Sequence, residues 1–144
     1  PELTGVFYFQ DPVIVNYSIL VLSSPLAGQG ARNAAAFAHE LIAQGHQLHR
    51  VFFLDDGASV GGALPVFPQD EADRLLPWVE LAEQQEVELA LCISSALRRG
   101  LLDETEADRH DKTASSVHGA FTIAGLGQLV DACAKSDRLV TFGG

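Results

Sequence analysis

The sequence predicts an α/β fold in which a mainly parallel β-sheet carries helices on both faces. Short apolar runs rich in strand-forming residues alternate along the chain with segments whose apolar residues recur at helical spacing. Strands that alternate with helices form βαβ units, and these units produce parallel sheets. At 144 residues the chain suits one such domain, and no internal repeat or linker divides it. We therefore expect a single three-layer, flavodoxin-like domain.

Four segments are predicted as strands because each is a short apolar run bounded by turn-forming residues. These segments are residues 17–23, 49–54, 87–93 and 138–142. Residues 55–69 follow the second of these strands and contain three glycines and two prolines, which predicts a long loop. Long loops in compact domains often carry functional residues.

The first two helices are predicted from apolar residues at helical spacing. The first pattern ends before Gly45, a residue type that commonly terminates helices. Asp70 is expected to cap the second helix, and Pro77 inside its pattern predicts either a kink or a restart. The inner faces of the two helices would consist of Ala34, Phe37, Ala38 and Leu41, and of Ala72, Leu75, Leu76 and Val79.

Three further helical segments are predicted after the third strand. A short turn over residues 96–99 ends at Gly100, and a second short helix is capped by Asp103, with Glu106 three residues later as in a capping box. The last helix carries an apolar stripe, on which Cys133 is expected to pack into the core. A partner-thiol role for this cysteine is the less favoured alternative. The stripe consists of Leu126, Leu129, Val130 and Cys133.

The composition excludes some classes of function. The net charge is −10, with 19 acidic and 9 basic side chains, so the chain would repel the phosphate backbone of nucleic acids. An acidic surface suits a subunit that docks on basic proteins, although solubility alone also explains it. No apolar run approaches the roughly 20 residues of a membrane-spanning helix, and no secretory signal pattern begins the chain. We therefore expect neither nucleic acid nor a membrane as a direct partner.

The cysteine content indicates the redox environment. Cys92 and Cys133 are too few for a disulfide scaffold, and they lack the paired spacing of zinc ligands. Reduced thiols and a cytoplasmic location are therefore expected, with no metal site. Residues 1–16 fit the pattern of the remaining chain poorly, so we expect an extension or an expression remnant there, with an edge strand as the second choice, and the α/β domain over residues 17–144.

Cys92 is the main candidate for chemistry. It ends a predicted strand, and reactive groups in open α/β sheets gather at the carboxyl ends of the strands. Ser94, Ser95 and a helical turn follow, and helix amides with Arg98 or Arg99 would favour the thiolate. Lowering the thiol pKa by ~1.5 from about 8.5 would leave it half ionised at neutral pH. The alternative, a small apolar residue in a buried strand, is equally open at this point.

Other candidate residues carry weaker signals. Gly28 and Gly30 begin like a dinucleotide-binding loop, but Asn33 replaces the third glycine, so a tight turn is favoured and a nucleotide-binding function ranks last. His110 and His118 flank a polar loop and would act with the candidate cysteine only if the fold brings them to it.

Several segments resemble the DsrE/TusD family of sulfur-relay subunits. Residues 91–107 (LCISSALRRGLLDETEA) resemble the cysteine segment of that family, and residues 43–46 with 51–57 resemble its second-strand region. Residues 121–129 and 137–142 are similar to its closing segments. The resemblance runs in the same order over nearly the whole chain.

The resemblance implies a DsrE-like fold and a sulfurtransferase in which Cys92 carries sulfur as a persulfide, without a metal or organic cofactor. It implies TusB-like and TusC-like partner subunits, or DsrF-like and DsrH-like ones, in a heterohexamer. In the Tus branch a TusA-like donor would supply sulfur, and a TusE-like acceptor would receive it for 2-thiouridine synthesis at the tRNA wobble position. We favour this branch because tRNA thiolation is the more widespread need.

Two alternatives stay open beside this interpretation. The chain is then either a DsrE-like subunit of a dissimilatory sulfur-oxidation complex or a structural subunit in which Cys92 is inert. Ser94 and Ser95 stand where many family members carry small apolar residues. The resemblance therefore does not say how strongly the thiol of Cys92 ionises.

Overall fold

The fold is built from five strands that alternate with helices. A computed structural model describes residues 13–144 and the elements within them. The predicted extension over residues 1–16 falls largely outside the described residues and stays a prediction. In chain order the elements are β1 (Asn16–Val21), α1 (Gly30–Ala43), β2 (Gln47–Phe53), a 3-10 helix (Asp55–Gly61), α2 (Leu76–Gln85), β3 (Glu88–Cys92), α3 (Ile93–Arg98), α4 (Glu104–Arg109), β4 (Phe121–Ala124), α5 (Gly127–Lys135) and β5 (Arg138–Phe142).

The five strands form one sheet in the order β4-β3-β2-β1-β5. All of the neighbouring pairs in this sheet are parallel, so the predicted α/β class with a mainly parallel sheet is confirmed. Parallel strands place their carboxyl ends along one edge of the sheet, where ligands and reactive groups collect in open α/β folds. β3 ends at that edge with Cys92.

Alternate residues of each strand face opposite sides of the sheet and build two cores of unequal size. The larger core lies under α1 and α2. At its aromatic centre, the ring of Phe53 lies 5.0 Å from that of Trp78 and 5.5 Å from that of Phe121. The smaller core contains Phe52 and Cys92, and a leucine of α5 packs against it. Helices therefore lie on both faces, as the sequence predicts.

A buried arginine attaches α5 to the face of the smaller core. Nη1 of Arg50 on β2 donates to the backbone carbonyl of Gln128 at 2.9 Å and to Oδ2 of Asp131 at 2.8 Å. Nη2 donates to Oε1 of Glu88 on β3, also at 2.8 Å. Charge-assisted hydrogen bonds of this kind are the strong ones in proteins, so they fix how α5 lies on the sheet.

The last helix is turned differently from its predicted orientation. The predicted core position of Cys133 is wrong, because this cysteine is exposed, and the side chains of Leu126 and Val130 are 56% and 67% exposed. Ala132 is buried instead. The hydrogen bonds from Arg50 to Gln128 and Asp131 explain the difference, since they turn the side of the helix that carries Asp131 and Ala132 toward the sheet.

The second helix begins later than the sequence pattern predicts. α2 starts at Leu76 because Asp73 Oδ1 accepts hydrogen bonds from the N–H groups of Leu75 and Leu76, at 2.9 and 3.2 Å. The predicted cap at Asp70 is therefore wrong. Pro77 lies in the first turn, where a missing N–H leaves no hydrogen bond unmade, so the helix starts there without a kink. The residues that α2 buries are Trp78 and Leu81.

Two elements are absent from the sequence prediction. β4 contains only four residues and pairs with β3 at one edge of the sheet, so its apolar run is too short to predict a strand. The predicted loop over residues 55–69 begins with the 3-10 helix, whose residues are partly buried. Within the part of the chain that the structure covers, no helix combines the length and the apolar character needed to cross a membrane.

A substitution at Gly57 tests how tightly the 3-10 helix packs against β1. A Cβ atom at this position would collide with the backbone carbonyl oxygen of Val21, which is held in the sheet. We expect Gly57→Ala to lower the free energy of unfolding by about 1–3 kcal/mol, the usual cost of overpacking. Chemical denaturation measures this loss. The matched control is Gly119→Ala, because a Cβ there meets no heavy atom within 4 Å; equal stability of the two variants would contradict the packing.

The carboxylate of Asp131 should link the stability of the fold to pH. Its hydrogen bond with Arg50, and further ones with Lys135 and His49, hold the pKa of Asp131 well below its usual value. A lowered pKa in the folded state stabilises the fold above the unfolded-state pKa of about 3.9, and this contribution is lost as the pH falls below it.

We expect Asp131→Asn to be less stable than the wild type at pH 7, with a smaller difference at pH 3. Urea unfolding at the two pH values measures the effect. The exposed Asp108 on α4 offers the matched control Asp108→Asn. A stability difference for Asp131→Asn that is independent of pH would contradict the assigned role of this carboxylate.

Candidate active site

Cys92 lies at the base of a cavity at the carboxyl edge of the sheet. It is the last residue of β3 and directly precedes α3, so no loop separates the strand from the helix. The residue is only 1% exposed, but it lines a cavity of about 420 Å³ that opens to the surface. The lining residues come from the ends of three strands and from α3, and they are Leu54, Asp55, Cys92, Ser94, Ser95, Arg98, Arg99 and Leu126.

The two serines after Cys92 surround its sulfur with hydrogen-bond donors. Ser94 Oγ lies 3.5 Å from the sulfur, within the range for a hydrogen bond to this element. Burial by itself raises the pKa of the Cys92 thiol. The hydroxyl and backbone N–H groups of Ser94 and Ser95 outweigh that effect, so the pKa lies below its ordinary value. The site therefore favours the thiolate, which is the nucleophilic form of cysteine.

The two arginines of α3 have different surroundings. Arg99 donates from Nη2 to Asp56 Oδ1 at 2.8 Å and from Nη1 to the carbonyl oxygen of Ser95 at 3.0 Å. Its charge is therefore shared with a carboxylate. Arg98 lines the cavity, and the described residues contain no ion pair that involves it. The pKa of Cys92 is lowered by hydrogen bonds, and neither guanidinium is among the causes.

The histidines near the polar loop lie away from Cys92. His110 Nε2 is 3.5 Å from Oε1 of Glu106, and His118 Nδ1 accepts a hydrogen bond from the N–H of Ala120 at 3.0 Å. Neither histidine lines the cavity, so the structure does not bring them to the thiol. In residues 13–144, no three His, Cys, Asp or Glu side chains are grouped as the ligands of a metal ion would be.

The segment around Gly28 and Gly30 is a tight turn between β1 and α1. Gly28 has a φ of 71°, and a Cβ atom on Gly30 would collide with the side chain of Ser23. Both glycines therefore serve close packing. A separate cavity of about 450 Å³ lies beside this turn and shares no lining residue with the Cys92 cavity.

Sequence reasoning missed three residues that line the cavity, Leu54, Asp55 and Leu126. The first two follow directly after β2, which is the neighbour of β3 in the sheet. Their place beside Cys92 could have been predicted, because the carboxyl ends of parallel strands lie along one edge of the sheet. Leu126 follows β4, and the sequence pattern contains too little of that strand to predict it.

The model of the DsrE/DsrF-like family matches residues 16–142 of the chain. The sulfurtransferase TusD of Serratia proteamaculans is 39% identical over 129 residues, which cover 90% of this chain and 100% of that protein. A sulfurtransferase TusD homologue of Vibrio parahaemolyticus is 41% identical over 128 residues, which cover 89% and 98% of the two chains. DsrE of Allochromatium vinosum is 40% identical over 129 residues, with coverage of 90% and 99%.

A solved structure supports the assignment of the fold. The crystal structure of the ychN protein from E. coli matches with a TM-score of 0.68, over 90% of this chain and 100% of that one. The two chains are 21% identical, so the match bears on the architecture alone. The match therefore supports the parallel sheet with helices on both faces as the fold of this chain.

The pH dependence of alkylation tests the surroundings of the thiol. In a Cys133→Ser background, reaction of Cys92 with iodoacetamide should reach half its maximal rate at a pH below about 8.5, the reference pKa of a free cysteine. Ser94→Ala should raise this midpoint, because the thiolate loses a hydrogen-bond donor. A midpoint at or above the reference value in the Cys133→Ser protein would contradict the assigned hydrogen bonding.

Proposed function

The chain belongs to the DsrE/DsrF-like family, and we propose that it is a sulfurtransferase subunit that holds sulfane sulfur as a persulfide on Cys92. The observation that carries this proposal is a thiol with a lowered pKa at the base of an open cavity. Relatives of nearly the same length are named sulfurtransferases, which supports the same class of activity for this chain.

The transfer consists of two thiolate attacks. The Cys92 thiolate attacks the outer sulfur of a donor persulfide, a new S–S bond forms on Cys92, and the donor leaves as a thiolate. An acceptor thiolate then attacks the outer sulfur of the Cys92 persulfide, and Cys92 leaves as a thiolate in turn. One S–S bond breaks for each that forms, so no external oxidant or reductant is consumed. The hydrogen bonds from the two serines stabilise Cys92 both as the attacking group and as the leaving group.

The geometry of the cavity limits how a partner can act. Because Cys92 is almost fully covered, the donor and the acceptor must place their sulfur atoms inside the cavity. Arg98 lines the cavity and would offset the negative charge of an incoming persulfide anion. Ser94 is thus proposed to support the thiolate, and Arg98 is proposed to attract the anionic groups that approach it.

The proposed donor and acceptor are a TusA-like carrier and a TusE-like protein, with 2-thiouridine of the tRNA wobble position as the end use. TusB-like and TusC-like chains would complete a cytoplasmic heterohexamer. The support is the similarity to proteins named TusD, which extends over nearly their whole length. The second candidate is a subunit for dissimilatory sulfur oxidation with DsrF-like and DsrH-like partners, which the match of 40% to DsrE favours.

Mass spectrometry after incubation with a persulfide donor tests the proposed function. We expect the wild type and Cys133→Ser to gain one sulfur atom that a reductant removes, and Cys92→Ser to gain none. Addition of a thiol acceptor should then discharge the loaded protein. Wild-type protein that stays unmodified in its assembled complex, with a donor that loads other thiols, would instead support a purely structural subunit.

A further inference from the structure

Ser95 is held by the chain segment that follows β2. Its side chain is buried on α3, and its Oγ accepts a hydrogen bond from the backbone N–H of Asp55 at 2.9 Å. A serine hydroxyl has a single proton and two lone pairs. Because the Asp55 N–H occupies a lone pair, the proton remains available for another acceptor. Ser95 lines the same cavity as Cys92, and its hydroxyl is among the hydrogen-bonding groups that lower the pKa of the Cys92 thiol.

The backbone of Asp55 is in an unusual conformation. Its φ is 52°, in the left-handed region that few residues other than glycine adopt. This conformation begins the 3-10 helix directly after Leu54, whose N–H donates to the carbonyl oxygen of Val21 at 3.0 Å. The turn brings the N–H of Asp55 to Ser95. An uncommon conformation of this kind persists where surrounding contacts hold it, and such positions concentrate at functional sites.

An ion pair at the protein surface joins the end of α3 to the 3-10 helix. Arg99 binds Asp56 of the 3-10 helix through one nitrogen and the backbone carbonyl of Ser95 through another. Asp56 is 70% exposed, so the pair adds little to global stability. The ion pair nevertheless has a specific effect. Arg99 contacts both Asp56 and the backbone of Ser95, so it fixes these two residues relative to each other. Arg99 thus acts on Ser95 and does not contact the sulfur.

We propose that the Asp56–Arg99 ion pair and the backbone N–H of Asp55 hold the Ser95 hydroxyl in the orientation that donates to the Cys92 sulfur. Asp56 and Arg99 are then positioning residues of the site, and their significance for sulfur transfer rests on the proposed function. Among the described residues, the charged side chains that line the cavity around Cys92 are Asp55, Arg98 and Arg99, and Leu126, directly before α5, adds an apolar side chain.

Removal of the Asp56 charge distinguishes positioning from simple electrostatics, because the two predict opposite signs. A lost negative charge near the thiol stabilises the thiolate and lowers its pKa. If the Ser95 hydroxyl instead loses its orientation, the thiolate loses a hydrogen-bond donor and the pKa of Cys92 rises. We expect Asp56→Asn to raise the pH midpoint of Cys92 alkylation by about half a unit, which reduces the thiolate fraction at pH 7 about threefold.

The experiment uses the full chain with Cys133→Ser and measures iodoacetamide reaction against pH. Asp56→Glu should restore the wild-type midpoint, and Arg99→Lys, which keeps the charge but loses the two-pronged contact, should raise it. Ser95→Ala should raise the midpoint as well, and Asp56→Asn should add nothing in that background. Asp108→Asn controls for the change in net charge, and thermal unfolding confirms that each variant is folded.

The outcomes separate this inference from the proposed function. An unchanged or lower midpoint for both Asp56→Asn and Arg99→Lys overturns the positioning role, even where the wild type accepts a sulfur atom. A further rise for Asp56→Asn on top of Ser95→Ala also overturns it, because the effect would then bypass Ser95. A rise on Asp56→Asn in the Ser95 protein, with no further rise on Asp56→Asn in the Ser95→Ala background, supports the role, even where no persulfide forms and the proposed function fails.

Discussion

The candidate site depends on the direct junction between β3 and α3. Cys92 ends the strand and precedes the helix. β3 has parallel neighbours on both sides, with β2 paired as far as Leu91 and β4 paired with Cys92 itself, so the backbone that carries the sulfur is held in the sheet. The helix that follows turns the hydroxyl and N–H groups of Ser94 and Ser95 back toward the sulfur. Because the strand and helix fix both sides of this contact, the donors are in place before any partner arrives, and no reorganisation is needed when the thiolate forms.

Polar contacts as well as apolar packing hold the face of the sheet that carries the smaller core. The nine-residue helix α5 packs on this face, and Arg50 of β2 binds both Asp131 of that helix and Glu88 of β3. This anchoring explains why Val130 and Cys133 point outward although their spacing is that of a core stripe. It also places Leu126, at the start of α5, on the rim of the Cys92 cavity. The contacts that hold α5 on the sheet therefore also bear on the position of one wall of the cavity.

Much of the fold was predictable from the sequence because apolar runs and helical spacing reflect burial directly. The class, the parallel sheet and the place of Cys92 at a strand end all followed from that pattern. The start of α2 did not, since capping depends on whether Asp70 or Asp73 reaches the free N–H groups. The exposure of Cys133 was not predictable either, because apolar periodicity does not reveal the salt bridge between Arg50 of β2 and Asp131 of α5. The contact between Ser95 and Asp55 joins residues 40 positions apart and depends on a left-handed backbone, which no local pattern encodes.

Burial and ionisation oppose each other at Cys92, and their balance suits a carrier of reactive sulfur. A freely exposed thiol would escape the effect of burial, which raises its pKa, but its persulfide would be open to any thiol in solution. A covered thiol without donors would stay protonated and inert. The cavity combines cover with donors: the residue is 1% exposed, yet hydrogen bonds outweigh the effect of burial on its pKa. Under the proposed function, access is then limited to partners shaped to enter the cavity, so the cover that opposes ionisation also confers selectivity.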